Sequence, residues 1–352
     1  MFSPKYEITD QVVNMLSQIA EIKAMVQRSN LLPAREAFLR RAAVIKMAHT
    51  STSIEGNQLK EYQVKELAEG KKVVAEVDEI REVENYLTAL SRIDGLSDSQ
   101  KTFGVNEILS IHKTIMEGLI EKTKSGVFRK TPVYIVNVLP KGNEELAYTP
   151  PKAKEVPILI ENLLSWLKDN QQIHPIIRAG LFHYQFETIH PFTDGNGRTG
   201  RLLSLLHLYQ SGWDFKKVLV LEDYYNRDHK KYYEALQTGK TFSDRLKVDL
   251  TDWIKYFVEG FLDEAEKVKE QILNLSVIKK IDSNINILDS DELKIVDFIV
   301  TMGKITSADV TDILSIPKRT AQAKLKKLEE MKVFKKNGAG PATYYSLFRE
   351  SA

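Results

Sequence analysis

Apolar residues return at steps of three and four through most of the chain, the period of helices that bury one face. Ile8, Val12, Met15, Ile19, Ile22 and Val26 form such a stripe from residue 7 onward. Pro33 opens a second helix, whose pattern continues through Phe38, Ala42, Ile45 and Met47 to about residue 53. Further helical periods cover roughly 76–92, 105–121, 153–168, 175–189, 199–211, 229–237 and 247–280. The expected fold class is therefore mainly α.

Two stretches depart from that period. In "TPVYIVNVLPKGNEELAYTPP", residues 131–151, β-branched and aromatic residues flank a polar Gly-Asn turn, which predicts a two-stranded hairpin. Alone it would be marginal, so it is expected to lean on the helical body. After "DSNINILDSDE" the pattern restarts with a helix at about 291–301 and then "TSADVTDIL", capped by Thr306 or Ser307. "IPKRTAQAKLKKLEEMKVF" follows, with Pro317 at a helix start, and then the Gly-rich "KKNGAGPATYYSL". Helix, helix, turn, helix and hairpin is the layout of a winged helix-turn-helix.

A length of 352 residues suggests two or three domains with real cores. The 50 Lys and Arg balance 48 Asp and Glu, a net +2, so no global field marks a nucleic-acid or membrane binder. The absence of cysteine excludes disulfides, thiolate catalysis and Cys-ligated zinc. The N-terminal "MFSPKYEITD" lacks the pattern of a signal peptide, and no apolar run approaches a membrane span. The expectation is a soluble cytoplasmic protein.

The densest chemistry lies in "HPFTDGNGRTGR", residues 190–201. Gly195, Gly197 and Gly200 spell the G-x-G-x-x-G of dinucleotide-binding folds, and "VLVLED" ends in Glu222 where a ribose-binding acid would stand. That fingerprint must follow a buried apolar strand, however, and here it follows "HPFTD", which a strand would not tolerate. "TGKT" at 238–241 has Glu234 where a Walker motif needs its first glycine, so it reads as a helix C-terminus.

The loop instead joins two helices. Glycines let backbone N–H groups approach a ligand at the positive end of the following helix, a geometry that binds phosphate. Arg198 and Arg201, three apart, add forked donors suited to a polyphosphate. Asp194 supplies a hard oxygen for a Mg²⁺ that bridges phosphates. His190 is the natural general base for an attacking hydroxyl. Together these groups describe nucleotide-dependent group transfer.

His190, Phe192, Asp194, Gly195, Asn196, Gly197, Arg198 and Arg201 occupy every fixed position of H-x-F-x-[DE]-G-N-G-R-x-x-R, and in this the chain resembles Fic-domain proteins. The likeness extends to "FHYQFETIHPF" and "SGVFRK" and covers roughly residues 45–240. It implies transfer of AMP from Mg·ATP to a Ser, Thr or Tyr hydroxyl of a target protein. His190 would be the base and Asp194 the Mg²⁺ ligand. Gly195, Asn196 and Gly197 would cradle the anion, Arg198 and Arg201 would hold the phosphates, and Phe192 would anchor the loop. The hairpin resembles the flap that aligns a target by strand addition. Relatives that phosphorylate carry Lys and a shortened glycine pattern, whereas this chain keeps Gly195 and Arg198.

"STSIEGN", residues 51–57, resembles the inhibitory [ST]-x-x-x-E-[GN] element of the family, with Ser51, Glu55 and Gly56 in register. The likeness implies that Glu55 pairs with Arg201 and blocks a productive γ-phosphate, since a carboxylate competes with phosphate for a guanidinium fork. Its place before the core is that of members with an N-terminal, intramolecular inhibitory helix (class II). A helix ended by Gly56 and Asn57, with Glu55 solvated, is the plainer account. Some relatives use this glutamate to remove AMP. Tyr224, Tyr225, Asn226, Tyr232 and Tyr233 lie where family members close the adenosine pocket, although aromatic residues on a helix also serve as core.

The expected domains are 1–95 with the inhibitory motif, 96–280 as the Fic core and 285–352 as the winged helix. Between 317 and 336 eight cations face only Glu329 and Glu330, which suits a helix lying along phosphates of DNA or a solvated face. Automodification and a homodimer stay open. So do transfer of phosphate or another nucleotide, and a transcriptional regulator that uses the core as a nucleotide sensor.

Overall fold

The computed structural model describes residues 2–29, 31, 33–98, 102–138, 144–285, 288–340 and 343–348. Its helices are α1 Asp10–Arg28, α2 Pro33–Ile54, α3 Glu61–Ala68, α4 Val77–Ser97, α5 Val105–Ile115, α6 Val156–Asp169, α7 Pro175–Ile189 and α8 Asn196–Gln210. They continue as α9 Leu221–Arg227, α10 His229–Leu236, α11 Phe242–Arg245, α12 Thr251–Ile285, α13 Ser290–Met302, α14 Ser307–Leu314 and α15 Lys318–Glu330. The strands β1 Ile135–Val138 and β2 Glu144–Tyr148 pair antiparallel, as do β3 Phe334–Asn337 and β4 Tyr344–Leu347. Two compact units result, one of residues 1–24 and 40–265, the other of 25–39 and 266–352.

In the first unit α7 and α8 form the centre. Both are buried almost all round, as expected of helices whose apolar residues show no single face. α4 and α5 pack on α8, and α6 packs on α7. Gly180 of α7 leaves room for Phe257 of α12, whose Cγ would stand 2.9 Å from an added Cβ. Beside it, His183 stacks on Trp253, and Tyr225 stacks on Tyr232.

The hairpin pairs Val136 with Leu146 and Val138 with Glu144. Its base leans on the core as expected, because the Tyr148 hydroxyl donates to the Thr188 carbonyl at 2.6 Å. The anticipated turn residues Gly142 and Asn143 lie outside the described residues.

In the second unit Asp289 caps α13 and Thr306, rather than Ser307, caps α14 through a capping box with Asp309. Pro317 precedes the first residue of α15. Ile305 and Tyr345 exchange backbone hydrogen bonds, adding a short bridge beside the β3–β4 hairpin. Ile295, Ile299, Val310, Leu325, Leu328 and Phe334 form its core.

Several sequence expectations need correction. α1 begins at Asp10, so Ile8 lies before it, 54% exposed, and Phe38 of α2 is 37% exposed rather than core. α5 stops at Ile115, short of residue 121, and Gly118 at φ 70° then turns the chain. α8 starts three residues earlier than the periodicity suggested, because Gly195 at φ 75° ends the loop and Asn196 is already helical. α3, which buries only Val64, and the shorter α9 and α11 are not expected from the periodicity. α10 ends at Leu236, so 238–241 is a loop in which Thr241 caps α11. Among the described residues no helix is long and apolar enough to cross a membrane.

Candidate active site

The 190–195 loop is held by its own side chains and by one arginine. His190 closes α7 in the left-handed region at φ 49°, a conformation a non-glycine residue keeps only when its surroundings enforce it. Arg129 supplies that constraint: Nε donates to the His190 carbonyl at 2.8 Å, Nη2 to the Pro151 carbonyl at 2.6 Å, and its backbone N–H to the Pro191 carbonyl at 2.9 Å. The Asn196 side chain staples the loop, accepting from the Phe192 N–H at 2.8 Å and donating to the Phe192 carbonyl at 3.0 Å. The side chain thus fixes the loop with one donated and one accepted bond.

Phe192 is fully buried and stacks on His112 at 3.6 Å. His112 Nδ1 accepts from the Gly126 N–H at 2.9 Å, so its Nε2 is the donor toward the Asp194 carbonyl at 3.0 Å. Burial brings the His112 pKa down to about 4, which keeps that tautomer neutral. Gly195 sits so close to Met116 Sδ that an added Cβ would stand 2.6 Å away. From this point α8 runs inward, with the N–H groups of its first turn lacking intrahelical partners.

Both arginines of that turn are buried and face carboxylates. Arg198 Nη1 lies 2.5 Å from Glu82 Oε1, and Nη2 lies 3.7 Å from Asp194 Oδ1. Arg201 Nε donates to Ser51 Oγ at 2.8 Å, and Nη2 donates to the Ser51 carbonyl at 2.9 Å and to Glu55 Oε1 at 2.7 Å. The Glu55 carboxylate also occupies the space over Gly197 that an added Cβ would enter. Burial pushes the Glu55 carboxyl up, but Arg201 and Arg198 outweigh it and hold the group below the usual carboxylate range. Glu55 does lie just past the end of α2, with 29% of its side chain exposed, but its carboxylate is paired with Arg201 rather than left to solvent.

α2 is fixed where it presents Glu55. Gly56 turns the chain at φ 102°, and Asn57 Nδ2 donates to Glu82 Oε2 at 2.7 Å and to the Glu79 carbonyl at 3.0 Å. Glu82 thus joins the end of α2 to Arg198.

Burial lowers the His190 pKa to about 4, with Arg129 adding to the effect, so the imidazole is a free base at neutral pH. Its Nδ1 lies 3.9 Å from Glu187 Oε2, beyond hydrogen-bond reach. Glu187 is pushed up to about 7 by its own burial. The Asp194 side chain is 60% exposed, and its Oδ1 accepts from the Gly195 N–H at 2.5 Å. Among the described residues no group of three or more His, Asp or Glu is gathered as an all-protein metal site would need. Mg²⁺ does not require one, because it takes one or two carboxylates and completes its shell with phosphate oxygens and water. An exposed Asp194 beside the arginines fits that pattern.

The five residues expected at an adenosine pocket separate. Tyr225 and Tyr232 are core, at 2% and 1% exposure. Tyr224 packs on Gly260, and Asn226 bonds His229 at 2.6 Å. Tyr233 keeps an exposed ring while its hydroxyl donates to the Ile54 carbonyl at 3.3 Å, one residue from Glu55. Glu222 is buried and accepts from the Tyr86 hydroxyl at 3.2 Å, which removes it as a ribose ligand.

Sequence reasoning gave no role to Arg129, His112, Glu82 or Glu187. Arg129 and Glu187 lie inside "SGVFRK" and "FHYQFETIHPF", so their stretches were legible although their contacts were not. Nothing in the local pattern of His112 or Glu82 carried a signal.

Residues 102–208 match the Fic/DOC family. The chain is 31% identical over 241 residues to a Culex quinquefasciatus protein named Protein adenylyltransferase Fic, covering 67% of this chain and 43% of that one. An Aedes aegypti protein of the same name is 29% identical over the same shares. The chain thus spans less than half the length of these curated relatives. Among solved structures it resembles a Fic family protein from Desulfovibrio desulfuricans, with a TM-score of 0.64 and 25% identity over the whole of both chains. Fic-1 from C. elegans is 24% identical with a TM-score of 0.58, covering 77% of this chain and 73% of that one, and supports the fold.

Proposed function

We propose that this chain, which carries a Fic domain at residues 102–208, transfers AMP from ATP to a hydroxyl of a target protein and is held inactive by Glu55. In this reading residues 96–280 are the catalytic core and 1–95 carry the inhibitory element. The observation that carries the proposal is the carboxylate of Glu55 on Arg201 and over Gly197, where the arginine fork and the helix N-terminus would otherwise take phosphate oxygens.

With Glu55 withdrawn, Arg201 and the Gly197 N–H hold the terminal phosphates, Gly195 shapes the cradle while its own N–H is bonded to Asp194, and Arg198 neutralises charge beside them. The target hydroxyl attacks the α-phosphorus while its proton passes to the neutral His190. The new O–P bond forms as the bond to pyrophosphate breaks, and pyrophosphate leaves. Asp194 would hold Mg²⁺, which when bound offsets the charge of the phosphates. Arg129 keeps the His190 backbone in place during the transfer. The β1–β2 hairpin offers its edge to the target segment, and Tyr233 is the aromatic residue placed to meet adenine. Automodification and a homodimer belong to the same reading, as does removal of AMP with Glu55 as the activating carboxylate.

The test compares wild type, Glu55→Gly, and Glu55→Gly with His190→Ala, each given Mg²⁺ and ATP labelled at the α- or γ-phosphate, alone and in lysate. Protein-bound α label that rises in Glu55→Gly and vanishes without His190 is the expected result. Label from the γ position alone makes the protein a kinase. No label from either position refutes the transfer and leaves a nucleotide-sensing regulator.

A further inference from the structure

The second unit divides its charges unevenly. α15 buries Ala321, Leu325 and Leu328, and the far side of the helix exposes Lys318, Arg319, Thr320, Gln322, Ala323 and Lys326. The C-terminal half of α15 is neutralised: Lys324 pairs with Asp289 at 3.1 Å and with Asp291 at 3.5 Å, Lys327 with Glu292 at 2.7 Å, and Lys326 with Glu330 at 3.6 Å. The other cations are left over. Lys318 and Arg319 at the start of α15, Lys332 in the turn after it, and the exposed Lys335 and Lys336 on β3 have no ion-pair partner among the described residues.

The backbone around them has a definite geometry. α14 and α15 pack together across a three-residue turn in which Ser315 takes φ 53°. The hairpin follows, with Lys335 opposite Ser346 and Lys336 opposite Tyr345. Arg319, Gln322, Ala323 and Lys326 fall at helical spacing on one exposed stripe that carries no large apolar side chain.

We propose that this unit is a winged helix-turn-helix that binds duplex DNA. The N-terminal half of α15 enters the major groove, Arg319 and Gln322 face base edges, and Lys332, Lys335 and Lys336 lie on flanking phosphates. Arg reads the guanine edge and Gln the adenine edge in that groove, and a helix N-terminus is where this motif does its reading. A protein partner would want aromatic or aliphatic anchors at the centre of the contact, which the stripe lacks. Duplex RNA is disfavoured because its major groove is too narrow for a helix. The five unpaired cations also explain a basic cluster in a chain of nearly neutral charge, and the proposal does not depend on AMP transfer.

The test uses the full chain and a fluorescent random-sequence duplex of about 30 base pairs, read by anisotropy from about 50 to about 200 mM salt. Wild type is expected to bind, with affinity falling steeply as salt rises. Lys335→Ala with Lys336→Ala is expected to weaken binding to all duplexes alike and to reduce the slope of log K against log salt by about 2. Selection from a random duplex pool is expected to enrich a motif, and Arg319→Ala to lose about ten- to hundred-fold on that motif. Arg319→Lys keeps the charge and should lose the motif while retaining non-specific binding. All three positions are exposed, and a cooperative thermal melt of each variant confirms folding. No binding to duplex, equal binding to single strands or duplex RNA, no enriched motif, or folded variants that bind as wild type would each overturn the proposal.

Discussion

Arg201 Nη2 and Glu55 Oε1 meet at 2.7 Å although 146 positions separate them in the chain. The arginine is 2% exposed and donates two further bonds to Ser51, in the last turn of α2 just before Glu55. Ser51, Glu55 and Arg201 are thus one hydrogen-bonded unit. In the proposed function, a phosphate that takes Arg201 must displace a carboxylate already in place.

That relationship predicts a stability change opposite in sign to the activity change. Glu55→Gly leaves a buried guanidinium short of its counter-charge, a loss of about 1–3 kcal/mol for a pair whose carboxylate is partly exposed and whose arginine keeps its bonds to Ser51. The variant should melt at lower temperature than wild type in the absence of nucleotide. ATP with Mg²⁺ should raise its Tm by more than it raises that of wild type, because ligand binding stabilises only the state that accepts it. Thermal melts of both proteins with and without nucleotide check this, and equal shifts would contradict it.

Arg129 should matter to transfer without touching substrate. Its Nε and backbone bonds hold His190 and Pro191 in their conformation. In the Glu55→Gly background, Arg129→Ala is expected to lower kcat by at least about tenfold, as displacement of a catalytic group does, with KM for ATP little changed. A change confined to KM would place Arg129 in nucleotide binding instead.

The pH dependence follows from two lowered groups. His190, with its pKa lowered to about 4 by burial, is a competent base at any pH above that value, so the acid limb of Glu55→Gly activity should lie well below the usual imidazole range. Removing Glu55 removes a charge that raises His190, which drives the limb lower still. The Glu55 carboxyl, held below its usual range, stays ionised on Arg201 until the pH falls through that lowered value. Mild acidification should therefore not release wild type. Label incorporation by both proteins from about pH 5 to about pH 8 tests the pair of expectations, and activation of wild type near pH 6 would refute the second.

Gly195 is placed by backbone and space together. Its φ of 75° and the 2.6 Å approach of Met116 Sδ to an added Cβ predict that Gly195→Ala destabilises the fold. The expected loss is about 1–3 kcal/mol. Urea unfolding measures it, and a loss under about 0.5 kcal/mol, the size of an ordinary surface change, would show that the loop relaxes freely.

The sequence by itself determined the helical class, the hairpin and the reactive loop, because each is local: periodicity, turn residues and a twelve-residue motif are read along the chain. It placed Arg198 and Arg201 on one helical turn, and it could suggest Glu55 only by resemblance. The tertiary structure decided what those residues touch. It put Glu82 on Arg198, Glu55 on Arg201, Arg129 behind His190 and His112 under Phe192, contacts that close over long stretches of chain and leave no period to read. It also separated Tyr233 from Tyr225 and Tyr232, which share its composition but lie in the core, since burial is a property of packing. The start of α8 is of the same kind, because it depends on the positive φ that Gly195 takes beside Met116, a position that leaves no room for a side chain.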